Sequence, residues 1–146
     1  MNPAERPLPV PTSDSRPFWE GCRRHELLLP RCRPCGDYFF YPRLFCPRCL
    51  SKDLEWAKST GRGKVYSFSV VHTRFFGQPW EVPYAVAIIQ LDEGVRMLSN
   101  VVECSPDDVT VGMSVEVVFE DVTQEVTLPK FRPVPGSRVQ GQRSRV

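Results

Sequence analysis

Two short cysteine-containing stretches decide the fold of this chain: LPRCRPCG at residues 29–36 and YPRLFCPRC at residues 41–49. Each contains a Cys-x-x-Cys knuckle, and ten residues separate the two knuckles. Four thiolates at this spacing can converge on one tetrahedral metal ion, with zinc–sulfur distances of about 2.3 Å. The predicted ligands are Cys32, Cys35, Cys46 and Cys49.

The alternatives to a metal site are two disulfides or four free structural cysteines, and iron is the alternative to zinc. A reducing cytosol disfavours disulfides, so we interpret the array as a zinc site. Because four sulfur ligands leave no open position for water or substrate, the metal is expected to be structural. It would close a module too small for a core of its own. Gly36 leaves room for a backbone amide to approach a sulfur.

The chain has 146 residues, 41% of them hydrophobic and 25% charged, which fits one domain or two small modules. Its longest apolar run covers residues 84–89, far short of the ~20 residues that a membrane-spanning helix needs, and the N-terminus lacks a signal-peptide pattern. We therefore expect a soluble, cytoplasmic protein. Proline-rich residues 1–12 and basic residues 136–146 predict disordered tails.

A short helix is predicted before the cysteines, in SDSRPFWEGCRR at residues 13–24. One of the polar residues 13–15 can cap it, Pro17 suits its first turn, and Glu20 could complete a capping box. Residues 27–29 then predict a brief strand that leads into the cysteine cluster.

Beyond residue 63 the apolar residues follow a period of two, which predicts strands. Tyr66, Phe68 and Val70 alternate with serines and are expected to face the core. An Asp-Glu-Gly turn predicts a hairpin in the middle of the segment. The predicted strands are residues 64–72, 84–91, 95–102, 114–122 and 126–133. Five short, mostly antiparallel strands favour a small barrel or sandwich.

Charge differs sharply between the two halves of the chain. Residues 22–52 hold seven basic and two acidic side chains, a net charge of +5. Residues 81–125 hold ten acidic side chains and one basic one, Arg96, a net charge of −9. The partners of the two halves are therefore expected to differ.

Other chemical candidates are weaker. His72 and Cys104 could in principle pair as base and nucleophile, but two residues this far apart in sequence say nothing about contact, and the default interpretation is a strand histidine and a small buried hydrophobe. Cys22 and His25 could add metal ligands, although the four-cysteine set is already complete.

Four aromatic residues lie either in the long connection between the first two barrel strands or at the start of the second strand. The default interpretation is that these side chains belong to the core or cover a hinge. The alternative hypothesis is that they form a binding loop over the barrel mouth. They are Phe75, Phe76, Trp80 and Tyr84.

In this order, the motifs resemble the DUF35 family, whose members join an N-terminal helix and a rubredoxin-like zinc ribbon to a C-terminal OB-fold. The resemblance covers about residues 16–135. It is carried by PFWEGC, LPRCRPCG, YPRLFCPRC, GRGKVYSFSVVH, PYAVAIIQLDEGVRMLSN, VGMSVEVVFE and LPKFRP. The departures are Leu50, where the family has glycine after the second knuckle, and the His25-Glu26 turn. Neither removes a metal ligand, although Leu50 is expected to loosen its knuckle.

The resemblance implies a mainly β chain divided into a tail (1–12), a helix and lead-in (13–30), a zinc ribbon (31–60), an OB-fold (61–135) and a second tail (136–146). It also implies a non-catalytic partner, in a hetero-oligomer, of a thiolase or of a thiolase-like aldolase that shortens steroid side chains. Members of the family have been proposed to bind or channel acyl-CoA. The four cysteines match the family's zinc ligands one by one.

Candidate contacts to the partner or to acyl-CoA are the aromatic loop and the helix, where Phe18 and Trp19 are expected to be exposed anchors. A ribbon joined to an OB-fold also describes nucleic-acid binders, which is the main rival interpretation. The acidic barrel region speaks against phosphate binding, and the absence of a convincing nucleophile, base or open metal site speaks against a stand-alone enzyme.

Overall fold

The computed structural model describes residues 7–74 and 81–134. This part of the chain contains one α-helix, α1 (Arg16–Arg23), and none long and apolar enough to cross a membrane. The strands are β1 (Leu28–Cys32), β2 (Leu54–Lys58), β3 (Arg62–Val71), β4 (Tyr84–Leu91), β5 (Arg96–Val101), β6 (Ser114–Asp121) and β7 (Thr127–Pro133). The tail predicted over residues 136–146 and the first six residues of the N-terminal tail lie outside the described residues.

The ribbon is built on a two-stranded antiparallel sheet of β1 and β2. Arg31 of β1 lies opposite Glu55 of β2, and their side chains form an ion pair at 2.9 Å. Strand β2 was not predicted, because Ala57 breaks the alternation of apolar and polar residues in LEWAK. The sheet carries the first cysteine knuckle at the end of β1.

The remaining five strands form a closed barrel in the order β3-β4-β5-β7-β6. Neighbouring strands are antiparallel except β5 and β7, which are parallel. This is the five-stranded architecture of the OB-fold, so the predicted barrel is confirmed. The predicted hairpin joins β4 and β5 through a turn in which Gly94 has a φ of 97°.

One hydrophobic core runs through the helix, the ribbon lead-in and the barrel. It includes Phe18 and Cys22 of α1, Leu29 of β1, and Ile89 and Phe131 of the barrel. The ribbon and the barrel are therefore fixed to each other by apolar burial, which contributes about 25 cal/mol per Å² of apolar surface.

The capping box predicted for α1 is absent, so the helix is held by packing. The N-cap residue is Ser15, whose side chain makes no hydrogen bond to the helix and instead accepts one from the Thr12 amide at 2.9 Å. A capping box needs its acidic residue three positions after the cap, and Phe18 occupies that position. The role predicted for Glu20 is therefore wrong.

A β-bulge between Val65 and Ser67 changes the face of β3 that was predicted to be buried. Val65 is buried, whereas Tyr66 falls in the bulge, is 49% exposed, and has the Arg96 guanidinium 3.7 Å above its ring centre. Phe68 pairs with buried Ala87 but remains 38% exposed. The expectation that Tyr66 and Phe68 are core residues is wrong.

We predict that Gly63→Ala lowers the free energy of unfolding by about 3 kcal/mol, because a β-carbon there would overlap the Gln90 carbonyl oxygen and stand 3.0 Å from the Leu91 Cα. Gly112→Ala is the control: Gly112 has a φ of 89° and open space around it, so its substitution should cost about 1 kcal/mol. Urea denaturation compares the two proteins, and equal losses would contradict the close approach of β3 to β4.

Candidate functional site

The four predicted metal ligands come together in one cluster. The Sγ atoms of Cys32, Cys35, Cys46 and Cys49 all lie within 4.8 Å of one another, and those of Cys32 and Cys49 are 3.5 Å apart. Two sulfurs of a tetrahedral zinc site are about 3.8 Å apart. All six cysteines of the chain are free. The cluster thus has the donor set and the size that a structural zinc ion requires.

Backbone amides donate hydrogen bonds to the sulfurs of both knuckles. The Cys35 amide lies 3.4 Å from the Cys32 Sγ, and the amides of Cys49 and Arg48 lie 3.5 and 3.3 Å from the Cys46 Sγ. Donation by the Cys49 amide, helped by that of Arg48, lowers the pKa of Cys46 to about 7. Such donors stabilise thiolates, the form that binds metal.

The two knuckles form the same turn with different residues. Gly36 donates its amide to the Cys32 carbonyl at 2.7 Å, and Leu50 donates its amide to the Cys46 carbonyl at 2.9 Å. Both residues are left-handed, with φ values of 77° and 65°. This conformation costs leucine about 1 kcal/mol relative to glycine. The second knuckle keeps its turn despite Leu50.

The two additional candidate ligands lie outside the cluster. Cys22 is fully buried in the core, and burial raises its pKa to about 12. His25 stacks on Phe119 and places its Nε2 3.0 Å from an Asp121 carboxylate oxygen. His25 thereby links the end of the helix to the barrel.

Ion pairs neutralise part of the basic charge of the ribbon. Arg33 pairs with Asp53 at 2.9 Å, and Arg48 pairs with Asp37 at 2.8 Å. Arg43 and Lys52 are exposed and form no ion pair within residues 7–74 and 81–134. The unpaired positive charge of the knuckle region therefore lies at these two side chains.

An apolar groove of about 490 Å³ lies between the start of α1, residues 40–42 and the outer face of β4, β5 and β7. Its lining includes Trp19, Tyr41, Val86, Leu98 and Leu128. Only Trp19 of this group was predicted from the sequence, because the others come from four distant segments and meet only in the folded chain.

The polar groups in the groove hydrogen-bond to protein atoms. The Lys130 ammonium donates to the Asn100 side-chain carbonyl, and the Asn100 amide donates to the Ala85 carbonyl at 2.9 Å. The groove is therefore suited to an apolar ligand more than to a phosphate group.

The candidate contact residues have different environments. Phe18 is only 4% exposed and belongs to the core, so it is not an exposed anchor, but it also lines the groove and its contact with acyl-CoA stays a prediction. Trp19 is half-buried, edge-on to Phe18 at 4.9 Å. Tyr84 begins β4 opposite Val71 and is half-buried. Phe75, Phe76 and Trp80 lie outside the described residues.

The proposed pairing of His72 with Cys104 receives no support. His72 is exposed after β3, Cys104 is half-buried after β5, and no hydrogen bond joins them in the part of the chain that the structure describes. Burial raises the pKa of Cys104, the opposite of what activates a nucleophile.

Comparisons with known proteins match both halves of the chain. Residues 19–55 match the rubredoxin-like zinc ribbon domain of ChsH2, and residues 56–120 match the C-terminal OB-fold domain of ChsH2. A DUF35 domain-containing scaffold protein of Methanocaldococcus jannaschii is 42% identical over 118 residues, which are 76% of this chain and 84% of that protein.

Two further relatives are enzyme-complex components. The benzoylsuccinyl-CoA thiolase subunit BbsA of Thauera aromatica is 31% identical over 94 residues, which are 64% of this chain and 58% of BbsA. A chain of the solved Ltp2-ChsH2(DUF35) aldolase superposes with a TM-score of 0.79 at 34% identity, covering 86% of this chain and 98% of that chain. The ribbon, the barrel and these matches together show that the chain belongs to the DUF35 family.

Proposed function

We propose that this chain is a non-catalytic accessory subunit of a thiolase-superfamily enzyme, either a thiolase or a thiolase-like aldolase. The observation that carries the proposal is the similarity, over nearly the whole of both chains, to a chain of the Ltp2-ChsH2(DUF35) aldolase. The thiolase subunit and the scaffold protein among the relatives support the same role. On this view the chain docks on the catalytic subunit and stabilises it.

The chemistry of the described residues supports a non-catalytic role. The four-sulfur cluster would supply every ligand of a tetrahedral ion, so the ion would have no position for substrate. The Cys104 thiol has a raised pKa and makes no hydrogen bond to His72 within residues 7–74 and 81–134, and the groove holds an amide and an ammonium that bond to each other. We therefore assign the reaction to the partner enzyme.

We further propose that Cys32, Cys35, Cys46 and Cys49 bind one structural zinc ion. When bound, zinc would fix the two knuckles to each other and would supply no substrate chemistry. The amides donated to the Cys32 and Cys46 sulfurs stabilise their thiolates, and zinc-binding thiolates fit a reducing compartment such as the cytoplasm.

Acyl-CoA is the ligand that we propose for the groove, with its acyl or steroid portion against Trp19 and Leu98. The apolar lining and the internally bonded Lys130 support contact with the hydrocarbon end more than with the phosphates. Contact of acyl-CoA with Phe75, Phe76, Trp80 and Tyr84 stays a prediction from the sequence.

Nucleic-acid binding is the weaker candidate. Arg96, the basic residue of β5, stacks on Tyr66, and Lys130 of β7 bonds to Asn100. Single-strand binding needs a basic groove along the backbone. We expect no useful binding of single-stranded DNA or RNA at physiological salt.

The zinc proposal predicts one equivalent of zinc per chain in protein expressed in the cytosol, measured by elemental analysis. Cys32→Ser and Cys46→Ser should give insoluble protein or an unfolded ribbon, because metal binding and folding are coupled in such sites. Cys104→Ser, outside the cluster, should retain the metal. Less than half an equivalent of any metal, with disulfides found by mass spectrometry, would refute the site.

The accessory role predicts that tagged chain purified from its native host brings down a thiolase-superfamily enzyme in stoichiometric amount, identified by mass spectrometry. The isolated chain should not turn over acyl-CoA thioesters, and adding it to the recovered enzyme should raise that enzyme's solubility or activity. Recovery of no thiolase-superfamily protein, or turnover by the isolated chain, would contradict the proposal.

The groove proposal predicts that dodecanoyl-CoA binds the isolated chain more tightly than free CoA does, measured by calorimetry. Leu98→Asp, which puts a charge at the rim, should weaken dodecanoyl-CoA binding about tenfold, equivalent to about 1.4 kcal/mol. Val111→Asp, at an exposed site that does not line the groove, is the matched control. Equal affinity for the two ligands, or no effect of Leu98→Asp, would exclude the groove.

A further inference from the structure

Exposed hydrophobic side chains are concentrated at the second knuckle. The described residues include nine large hydrophobics that are exposed, and four of them fall within residues 41–50. These four form what we call the knuckle patch: Tyr41, Leu44, Phe45 and Leu50. Concentrations of this kind on a soluble domain mark interaction surfaces more often than isolated exposed residues do.

Leu50 provides a second and independent observation. The same turn occurs twice in the ribbon, and the first copy uses Gly36, which adopts the left-handed conformation at no steric cost. In the second copy a leucine accepts that strain while its side chain is 67% exposed. Backbone strain at a residue that the fold does not need points to a role outside the fold.

The other strained residues show that Leu50 is exceptional. Three non-glycine residues of the described chain have positive φ: His25, Leu50 and Glu103. His25 contacts Asp121, and Glu103 lies 3.4 Å from Arg132, so both side chains have partners in the chain. The Leu50 side chain is not among those packed on the core. The contacts of the described residues therefore do not explain a leucine at this position.

Charge and position indicate what covers the knuckle patch. Arg43 lies within it and Lys52 follows it, and neither forms an ion pair in residues 7–74 and 81–134. A complementary surface would carry carboxylates around an apolar depression. The Tyr41 hydroxyl accepts a hydrogen bond from the Leu98 amide at 3.3 Å, so the patch continues into the rim of the groove.

We propose that the knuckle patch is the surface through which this chain docks on its catalytic partner, in an apolar depression flanked by carboxylates. The inference rests on the proposed function, which supplies the class of partner. In this contact the exposed Leu50 side chain would meet the partner, and its left-handed backbone would cost the ribbon some stability. Docking here also brings the partner to the rim of the groove, where an acyl chain bound by this subunit would meet the enzyme.

The test uses opposite effects of one substitution on stability and binding. Leu50→Gly should raise the melting temperature of the zinc-loaded chain by about 2 °C, because glycine relieves the left-handed strain. It should also weaken binding to the thiolase-superfamily enzyme recovered by the wild-type chain by at least tenfold. Leu44→Ser should weaken binding similarly without raising the melting temperature, and Val111→Ser is the matched exposed control, expected to bind within twofold of wild type.

Arg43→Glu tests the proposed carboxylates. It should slow association with the same enzyme, and added salt should reduce the difference from wild type, since exposed charges act mainly through steering.

Several results would overturn the proposal, and they separate its failure from a failure of the proposed function. If the wild-type chain recovers the enzyme and the patch variants bind it equally well, the docking surface is wrong and the accessory role stands. If wild type recovers no such enzyme, both fall. A lower melting temperature for Leu50→Gly would show that Leu50 serves the fold. A wild-type dimer in light scattering that Leu50→Gly dissociates would assign the patch to self-association.

Discussion

The ribbon depends on the convergence of four cysteine thiols at one point. A two-stranded sheet such as β1–β2 is at best marginally stable by itself in water, and of the ten residues between the knuckles only Phe39 is buried. The sulfur cluster therefore supplies the order that a core would supply in a larger domain. The second support is apolar: Leu27 and Leu29, just before the first knuckle, are buried in the same core as the barrel.

This arrangement gives the two halves of the chain different tasks. The barrel and α1 hold most of the buried apolar residues, whereas the ribbon presents apolar and basic side chains on a short segment held at both ends. A segment fixed in this way loses little conformational entropy when a partner covers it. The apolar groove lies where the two halves meet, beside the segment. Binding of a partner and binding of a hydrocarbon chain can thus occur at adjacent sites on one subunit.

Local sequence signals were sufficient for much of this architecture. Cysteine spacing identified the cluster, and period-two hydrophobicity identified the five barrel strands. Each of these signals is carried by residues that lie close together in the sequence. The failures have longer-range causes. The bulge at Tyr66 reverses the face of β3 and depends on pairing with β4. Burial of Phe18 depends on where α1 packs, which helical periodicity alone does not fix.

The sequence identified Leu50 as unusual but did not show its structural consequence. Leu50 was recognisable as a departure from glycine, but its consequence depends on its φ of 65° and on its exposure, which only the folded chain provides. Likewise, Tyr41, Leu98 and Lys130 meet at the groove from ribbon, β5 and β7, and no local pattern joins them. Topology, more than propensity, assembled the candidate ligand site.

Hydrogen–deuterium exchange of the complex purified from the native host tests the central claim, that this subunit docks on a catalytic partner through its ribbon. Exchange would be compared between the chain alone and the chain in the complex. Peptides covering residues 41–50 should gain the strongest protection in the complex, with weaker protection around Leu98 at the groove rim. Protection confined to the barrel, for example to β6, with none in residues 41–50, would contradict it.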